Sequence, residues 1–349
     1  DFKRESDEEF VYSSVMHMFQ NASEYVDLID YDDMVYLPHK LNLDCKQYPM
    51  LFLDERQDQN RAQQELAYRL GKRLFVVGDV NQAIFGFAGA DRFSCQRMDE
   101  HLAKDFRGYK TFPLTLTYRC SRAVVEYARQ FVPEFRHLPD APKGAVFEDK
   151  KKWIEDTFWQ YVKPGDMVIC RTNAPLMKVG MQLFKKGIPF TTTVTKFFEQ
   201  MLDLIDSFDA RTPSQLARSL DGWKEERVEK AYSPEKQRDI SDMYDSIITG
   251  LQMTGSVEGL IGTIKSFIEP IDPDEVTNDK VMLTSIHQGK GLEANTVWWL
   301  QYDLLPHPKA TLLEQERNLQ WVAATRARSS LYLIRSTAAK KEDDELLYS

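Results

Sequence analysis

The chain has 349 residues, of which 42% are hydrophobic and 28% charged, a composition typical of a globular protein with room for two domains and a smaller insertion. No apolar run reaches the roughly 18 to 20 residues that a membrane-spanning helix needs, and no secretory leader pattern is present, so we expect a cytoplasmic protein without membrane contact. The net charge of −9 excludes bulk attraction to nucleic acid, so any DNA has to be bound by a local groove and by stacking.

The first part of the chain predicts two parallel strands that end in acids and amides. Helices are expected over 11–19, 28–37 and 59–70. The continuous apolar run 50–53 is typical of a strand covered on both faces, and it ends on Asp54 and Glu55. A second apolar run, 74–77, is followed by Asp79 and Gln82. Because ligands bind at the carboxyl ends of parallel strands, both runs predict one polar site.

These residue types suit a reaction on phosphate. Mg²⁺ needs one or two carboxylates besides phosphate oxygens and waters, which Asp54 can satisfy. Glu55 can then orient or deprotonate an attacking water. Two other interpretations remain open: buried strands often end in solvated acids, and the residues from Asp79 to Gln82 can form a polar turn with a helix cap.

The second part of the chain alternates strands and helices again, with a long helical interruption. The predicted strands are 109–117, 166–170, 188–194, 281–285, 296–300 and 330–334. The predicted helices between them are 121–131, 175–186 and 312–327. From 196 to 278 the strand pattern stops and helical periodicity replaces it, with breaks expected near Pro234 and Gly250. This pattern predicts an α/β domain that carries a helical insertion.

Five segments in chain order resemble the motifs of the UvrD/PcrA/Rep-type superfamily 1 DNA helicases. LFLDERQDQN (51–60) resembles motif II, and VVGDVNQAIFGFAGAD (76–91) resembles motif III. LTLTYRCS (114–121), TSIHQGKGLE (284–293) and WVAATRAR (321–328) resemble motifs IV, V and VI. Five motifs in the right order make the resemblance specific, and it covers most of the chain outside the insertion.

The resemblance implies an α/β fold with two RecA-like parallel-sheet domains and a helical insertion in the second. Residues 1–112 then form the C-terminal part of the first domain, with motifs II and III. Residues 113–195 and 279–339 form the second domain. The accessory helical insertion is 196–278, and 340–349 is a tail.

The resemblance also implies ATP and Mg²⁺ as cofactors and single-stranded DNA as partner. It implies catalytic roles for Glu55, Gln82, Arg119 and Arg326, the two arginines acting as arginine fingers. It implies cofactor contacts for Asp54 (the Mg²⁺ ligand), Gln57, Tyr118 and Glu293, and DNA contacts for Phe87, Thr284, His287 and Lys290. Without the resemblance, Tyr118 and Phe87 would be interpreted as core aromatics, and Glu293 as a solvated glutamate.

Some positions depart from the family pattern. Ala88 stands where most relatives have arginine, and the other departures are Arg56, Ala83, Phe85 and Thr117. No G-x-x-x-x-G-K-[ST] phosphate-binding loop (P-loop) occurs in the chain. Because the chain starts without Met about 50 residues before motif II, we expect that an N-terminal segment with this loop is missing and that residues 1–349 alone bind ATP weakly.

The sequence therefore predicts an ATP-driven DNA helicase or translocase moving 3′ to 5′ on single strands, here as a fragment. We expect a monomer, with repair, recombination or replication proteins as candidate partners. One alternative is a non-hydrolysing helicase-like subunit of a recombination or repair complex. Another is a nucleotide-binding α/β protein that does not bind DNA.

Overall fold

A computed structural model describes residues 5–22, 28–84, 93–105, 108–148, 156–231, 233–268, 279–306, 310 and 312–336. By its internal contacts the chain forms two compact units, unit 1 (Asp1–Thr111) and unit 2 (Phe112–Ser349). Among the helices of these ranges, none combines the length and the apolar character that crossing a bilayer requires.

Unit 1 contains a two-stranded parallel sheet. Its elements are α1 (Glu5–Ala22), α2 (Tyr31–Lys40), β1 (Leu51–Leu53), α3 (Arg61–Leu70), β2 (Leu74–Val76) and α4 (Ser94–Asp105). Leu51 lies opposite Leu74 and Leu53 opposite Val76. Asn60 caps α3 by accepting from the Gln63 backbone N–H while the Gln63 side chain accepts from the Asn60 N–H, which fixes where the helix begins.

The strand over 50–53 was predicted to be covered on both faces, but within residues 1–349 one face of β1 and of its neighbour β2 is exposed. Phe52 is 69% exposed and Phe75 is 56% exposed, and their ring centroids lie 5.4 Å apart. Side chains alternate along a strand, so Leu51 and Leu53 point to the other face, which is partly buried. No helix within the described part of unit 1 covers the face that carries the two phenylalanines.

Unit 2 is built on a six-stranded sheet in which every neighbouring pair is parallel. Its strands are β5 (Ala145–Phe147), β6 (Met167–Cys170), β7 (Phe190–Thr192), β8 (Val281–Ser285), β9 (Ala294–Leu300) and β10 (Ala327–Ile334), in the spatial order β5-β10-β9-β6-β8-β7. Strand β6 is wholly buried, as expected for a central parallel strand. A separate small sheet pairs β3 (Leu116–Thr117) with β4 (Arg136–His137).

The helices of unit 2 include the predicted insertion. They are α5 (Arg122–Ala128), α6 (Ala174–Lys185), α7 (Thr195–Ser207), α8 (Pro213–Glu229), α9 (Pro234–Thr254), α10 (Val257–Ile268) and α11 (Leu313–Thr325). Helices α7 to α10 share one apolar core with α6, which contributes Met177 and Met181. Asp242 of α9 also accepts hydrogen bonds from the backbone N–H groups of Asn173 and Ala174 at the start of α6. The insertion is therefore packed directly on the sheet domain.

Most predicted elements are confirmed to within a few residues, and 281–285 is confirmed at both ends. The predicted strand 109–117 is wrong except for Leu116 and Thr117. Its apolar residues Phe112 and Leu114 are exposed, so they do not have the buried environment that makes an apolar run a strand. Strands β4 and β5 had no counterpart in the prediction.

The predicted helix break near Gly250 is also wrong. Helix α9 continues to Thr254 and is capped by Gly255, whose φ of +73° is the left-handed conformation that glycine favours. A Cβ on Gly250 would lie 2.5 Å from Leu260 Cδ1. Gly250 thus allows α10 to pack closely on α9, and its role is in packing.

We predict that Phe267→Ala lowers the free energy of unfolding of unit 2 by about 3 to 5 kcal/mol, the usual cost of removing a buried aromatic ring. Phe267 is buried and its ring contacts Phe184, Phe190 and Phe198, which join the insertion to the sheet domain. All six tryptophans lie in unit 2, so denaturant unfolding followed by tryptophan fluorescence reports this unit. The exposed Phe112→Ala is the control, and an equal loss in both variants would contradict the shared core.

Candidate functional site

In unit 1, Gln57 connects the polar ends of β1 and β2. Its side chain is 1% exposed, its Nε2 donates to the Glu55 carboxylate, and its Oε1 accepts from the backbone N–H of Asp79 at 3.0 Å. Gln82 extends this chain of hydrogen bonds, because its Nε2 donates to Asp79 Oδ2 at 3.0 Å. The predicted convergence of the two strand ends is therefore confirmed. We call Glu55, Gln57, Asp79 and Gln82 the strand-end network.

Glu55 has a backbone conformation that is rare for a residue with a side chain. Its φ is +51°, in the left-handed region, which costs on the order of 1 to 3 kcal/mol and persists only where the surrounding structure holds it. The hydrogen bond from Gln57 and a bond from the Glu55 N–H to Asp54 Oδ1 (2.9 Å) hold this geometry. The conformation places two adjacent carboxylates at the exposed end of β1.

Asp54 fits a site for Mg²⁺ in combination with phosphate. Among the described residues there is no group of three or more His, Cys, Asp or Glu that would bind a metal unaided. Mg²⁺ does not need such a group, since it retains waters and takes phosphate oxygens beside one or two carboxylates. Asp54 is exposed at the strand end and has the required oxygen ligands.

Arg56 and Asp99 support the strand-end network through a contact that no pattern in the sequence indicates. The Arg56 guanidinium pairs with Asp99 of α4, whose carboxylate also accepts from the Tyr109 hydroxyl at 2.6 Å. The Ser94 hydroxyl donates to the Arg56 carbonyl at 2.7 Å. These contacts fix α4 to the segment that carries Gln57.

Phe87, the predicted DNA-stacking residue, lies outside the described residues.

In unit 2, Glu293 lies between two arginines just before β9. Its carboxylate forms ion pairs with Arg119 Nε and with Arg328 Nη2. Partial burial acts to raise the pKa of Glu293, but the hydrogen bond from Arg328 and the positive charges of Arg119, Arg328 and Arg326 outweigh burial and hold the pKa below its ordinary value. Glu293 is therefore ionised at neutral pH. We call Arg119, Glu293 and Arg328 the arginine–glutamate triad.

Tyr118 and Arg119 are fixed to the triad through β10. The backbone N–H of Ser121 donates to the Arg328 carbonyl at 2.8 Å, so the segment that contains Tyr118 and Arg119 is bonded to the start of β10. Tyr118 is 82% exposed. The alternative interpretation of Tyr118 as a core residue is therefore wrong, and its ring is accessible for stacking.

Arg326 is 1% exposed and lies behind the triad. Its Nε and Nη1 donate to the carbonyls of Val322 and Leu292, both at 3.1 Å, and its Nη2 donates to the Thr325 hydroxyl at 3.3 Å. The guanidinium thus joins the last turn of α11 to the residue that precedes Glu293. Its predicted role as an arginine finger stays a prediction and requires these bonds to open.

The motif V residues predicted to contact DNA begin at the end of β8, at the carboxyl edge of the six-stranded sheet. Glu293, in contrast, directly precedes β9 at the amino edge. Thr284 is buried near the end of β8, and its hydroxyl lies 2.7 Å from that of Thr193, which also donates to Gln288 Oε1 at 2.9 Å. His287 and Lys290 follow in the next turn and are partly buried. Thr193 therefore joins the buried Thr284 to the turn at Gln288.

A buried charged cluster that the sequence did not reveal lies beside His287. Glu316 of α11 pairs with Arg171 at 3.2 Å and with Arg238 of the insertion at 3.6 Å. Burial, together with the charges of Arg171 and Arg238, lowers the pKa of His287 to about 3. His287 is consequently neutral at pH 7. The position of Arg171, directly after β6 at the carboxyl edge of the sheet, is the sequence feature that could have indicated this cluster.

We predict that His287→Gln makes unit 2 less sensitive to acid. In the wild type the folded state holds His287 neutral, while the unfolded state takes up a proton as the pH falls through 6.5, the ordinary pKa of histidine. The free energy of unfolding therefore decreases below pH 6.5, and His287 accounts for about 1 to 2 kcal/mol of this decrease at pH 5. Glutamine has no such titration. Urea unfolding at pH 7 and pH 5 measures the difference, and His137→Gln controls for the substitution. Equal losses in the wild type and His287→Gln would contradict the lowered pKa.

Comparisons with known proteins agree on one family. A model described as the UvrD/REP helicase N-terminal domain matches residues 2–103, and one described as the UvrD-like helicase C-terminal domain matches residues 199–338. F-box DNA helicase protein 1 of Schizosaccharomyces pombe is 26% identical over 308 residues, which are 82% of this chain and 34% of the relative.

Bacterial relatives show a shorter match. ATP-dependent DNA helicase PcrA of Staphylococcus epidermidis is 24% identical over 212 residues, or 51% of this chain and 28% of the relative. PcrA of Staphylococcus aureus is 27% identical over 211 residues, again 51% and 28%. The chain thus spans about a third or less of the length of these curated relatives. Two matching domain models, five ordered motifs and parallel α/β sheets place the chain in the UvrD/PcrA-type helicases of superfamily 1.

Proposed function

We propose that this chain is the part of an ATP-dependent DNA helicase that couples nucleotide hydrolysis to 3′ to 5′ movement on single-stranded DNA. The strand-end network is the observation that carries the proposal. It brings Glu55, Gln57 and Gln82 into one chain of hydrogen bonds at the ends of two parallel strands. The relatives named above as DNA helicases support the substrate class.

Within unit 1 we assign the hydrolytic step. Asp54 would hold Mg²⁺, and the bound ion neutralises charge on the phosphates. Glu55 accepts the proton of the attacking water, for which its carboxylate and its fixed orientation are suited. Gln57 and Gln82 report the γ-phosphate, because both are hydrogen-bonded through Asp79 and a shift of one side chain changes the other.

Within unit 2 we assign the remaining nucleotide contacts. The exposed ring of Tyr118 stacks on adenine, since stacking on an aromatic ring suits a flat base. Glu293 accepts a hydrogen bond from the ribose. Arg119 donates to phosphate oxygens as an arginine finger, and Arg326 does so once its bonds to the main chain open.

For DNA we assign Phe87, Thr284, His287 and Lys290. Because the chain is acidic overall, binding depends on local contacts, with base stacking on Phe87 and phosphate contacts from Lys290. His287 contributes as a neutral donor, since its lowered pKa keeps it uncharged. Thr284 acts indirectly, because Thr193 joins its hydroxyl to Gln288 in the turn that carries His287 and Lys290.

We further propose that a segment outside residues 1–349 supplies the P-loop and packs on the face formed by Phe52 and Phe75. Two exposed aromatic rings on a two-stranded sheet support this, because an isolated pair of strands is only marginally stable. The greater length of the relatives supports it as well. Residues 1–349 alone would then bind ATP weakly and not unwind DNA.

A second candidate is a non-hydrolysing, helicase-like DNA-binding subunit. The chain's lack of a P-loop sequence and the burial of Arg326 favour it. Against it stand the strained, well-supported geometry of Glu55 and the exposed Arg119, which a subunit without hydrolysis does not need.

Glu55→Gln in the full-length protein is expected to lower ATP turnover in the presence of single-stranded DNA by at least about 10²-fold, because the amide keeps the shape of the carboxylate but cannot accept a proton. The affinity for Mg²⁺-ATP should change little. Steady-state ATPase rates and equilibrium nucleotide binding give the two quantities. The exposed Glu65→Gln on α3 is the control, and turnover within a few-fold of wild type would remove Glu55 from the mechanism and favour the second candidate.

Gly78→Ala is expected to disturb the strand-end network. An added Cβ would lie 2.5 Å from Gln57 Oε1 and 2.5 Å from Arg56 Cγ, so Gln57 must move. Turnover should fall roughly 10- to 100-fold, since displacement of about 1 Å near the reacting groups has effects of that size. Gly222→Ala, on a helix with open space around it, is the matched control. Unchanged ATPase in Gly78→Ala would show that Gln57 does not need this position.

A further inference from the structure

The arginine–glutamate triad contains more positive charge than one carboxylate needs. Glu293 Oε2 faces Arg119 Nε, and its Oε1 faces Arg328 Nη2, so each carboxylate oxygen has its own arginine. One arginine would neutralise the carboxylate. The second becomes important only if the first has to leave, which is what the proposed function requires of Arg119.

The Arg119–Glu293 pair is easy to exchange. The Arg119 side chain is partly exposed, and ion pairs in contact with water contribute little to stability. A triphosphate carries more negative charge than a carboxylate and offers several oxygens to a guanidinium. Arg119 can therefore transfer from Glu293 to phosphate, provided that the remaining carboxylate is kept ionised and oriented.

Arg328 is the residue placed to do this. Although its side chain is 53% exposed, its Nη2 donates a hydrogen bond to Glu293 Oε1. Its backbone carbonyl accepts from the Ser121 N–H, which fixes the start of β10 relative to the segment that carries Arg119. The positive charge of Arg326 also acts on Glu293. Its three guanidinium nitrogens, however, donate to Val322, Leu292 and Thr325. Arg326 thus holds the backbone before Glu293, and Arg328 holds the carboxylate.

We propose that Arg328 is a positioning residue that keeps the Glu293 carboxylate directed at the nucleotide ribose while Arg119 exchanges Glu293 for phosphate. This inference rests on the proposed function, because it takes the nucleotide as the ligand of the triad. Without Arg328, Glu293 can turn both oxygens to Arg119. The carboxylate is then no longer directed at the ribose, and Arg119 is held more tightly by Glu293.

The test is ATP hydrolysis by the full-length protein with single-stranded DNA, comparing wild type, Arg328→Gln, Arg328→Lys and Arg129→Gln. Arg129 is an exposed arginine of the same unit that pairs with Glu126, so its variant controls for loss of a surface ion pair. We expect Arg328→Gln to raise the KM for ATP by about 3- to 10-fold. Arg328→Lys should restore most of the affinity, and Arg129→Gln should behave as wild type.

Two further measurements separate positioning from general destabilisation. The first uses 2′-deoxy-ATP and 3′-deoxy-ATP as probes. The ratio of kcat/KM for ATP to kcat/KM for each deoxynucleotide should fall towards 1 in Arg328→Gln. In a Glu293→Gln background, Arg328→Gln should have less than about a twofold further effect, because Arg328 acts through Glu293. If Arg328→Gln does not fold, Arg328→Met, which keeps the aliphatic stem, replaces it.

The outcomes are distinguishable. A wild-type protein without DNA-stimulated hydrolysis would overturn the proposed function and this inference with it. Normal wild-type hydrolysis with Arg328→Gln equal to Arg129→Gln would overturn the inference alone. An unchanged preference for ATP over both deoxynucleotides, or an equal loss in the Glu293→Gln background, would likewise overturn it.

Discussion

The short connection between β8 and β9 is the constraint on which the sites of unit 2 depend. Both strands run parallel to β6 and lie on either side of it, so the chain that leaves β8 at the carboxyl edge must return to the amino edge before β9 begins. Only residues 286–293 are available, and fully extended residues span about 3.3 to 3.6 Å each. A Cβ on Gly289 would lie 3.0 Å from Ile169 Cδ1, so the connection passes directly over β6. Thr284 and Glu293 therefore lie at the two ends of one short connection, which contains the turns of His287 and Lys290.

Arginines with different tasks lie at the two ends of this connection. At the amino edge, Arg326 donates to the Leu292 carbonyl, and its own carbonyl accepts from the Ala294 N–H at 3.1 Å. At the carboxyl edge, Arg171 and Arg238 share the buried Glu316. Buried charges must be paired, since removing one partner of such a pair costs about 3 to 5 kcal/mol. Because Arg171, Arg238 and Arg326 are engaged in these contacts, the exposed triad is the adjustable part of this region.

The sequence predicted what depends on local pattern and missed what depends on distant partners. Strand 281–285 was predicted at both ends because a buried apolar run is bounded there by polar turn residues. The polar strand ends were predicted because parallel strands deliver their carboxyl ends to one edge. Arg56–Asp99 and Glu293–Arg328 join residues 43 and 35 positions apart, and no periodicity relates them. Gly250 was misinterpreted because a glycine required by a neighbouring helix looks the same in sequence as one that ends a helix.

The geometry of Glu55 and the exposed face of β1 and β2 are linked physically. A residue with a side chain stays at positive φ only where the surrounding structure determines its conformation, and for Glu55 that structure is the strand-end network. The network joins the ends of a two-stranded sheet whose other face exposes Phe52 and Phe75. Two strands alone give weak support, because few of their apolar side chains are removed from water. A segment that covered this face would bury both rings and stiffen the pair of strands. The same contact that completes the sheet would therefore also hold the proposed catalytic carboxylate in place.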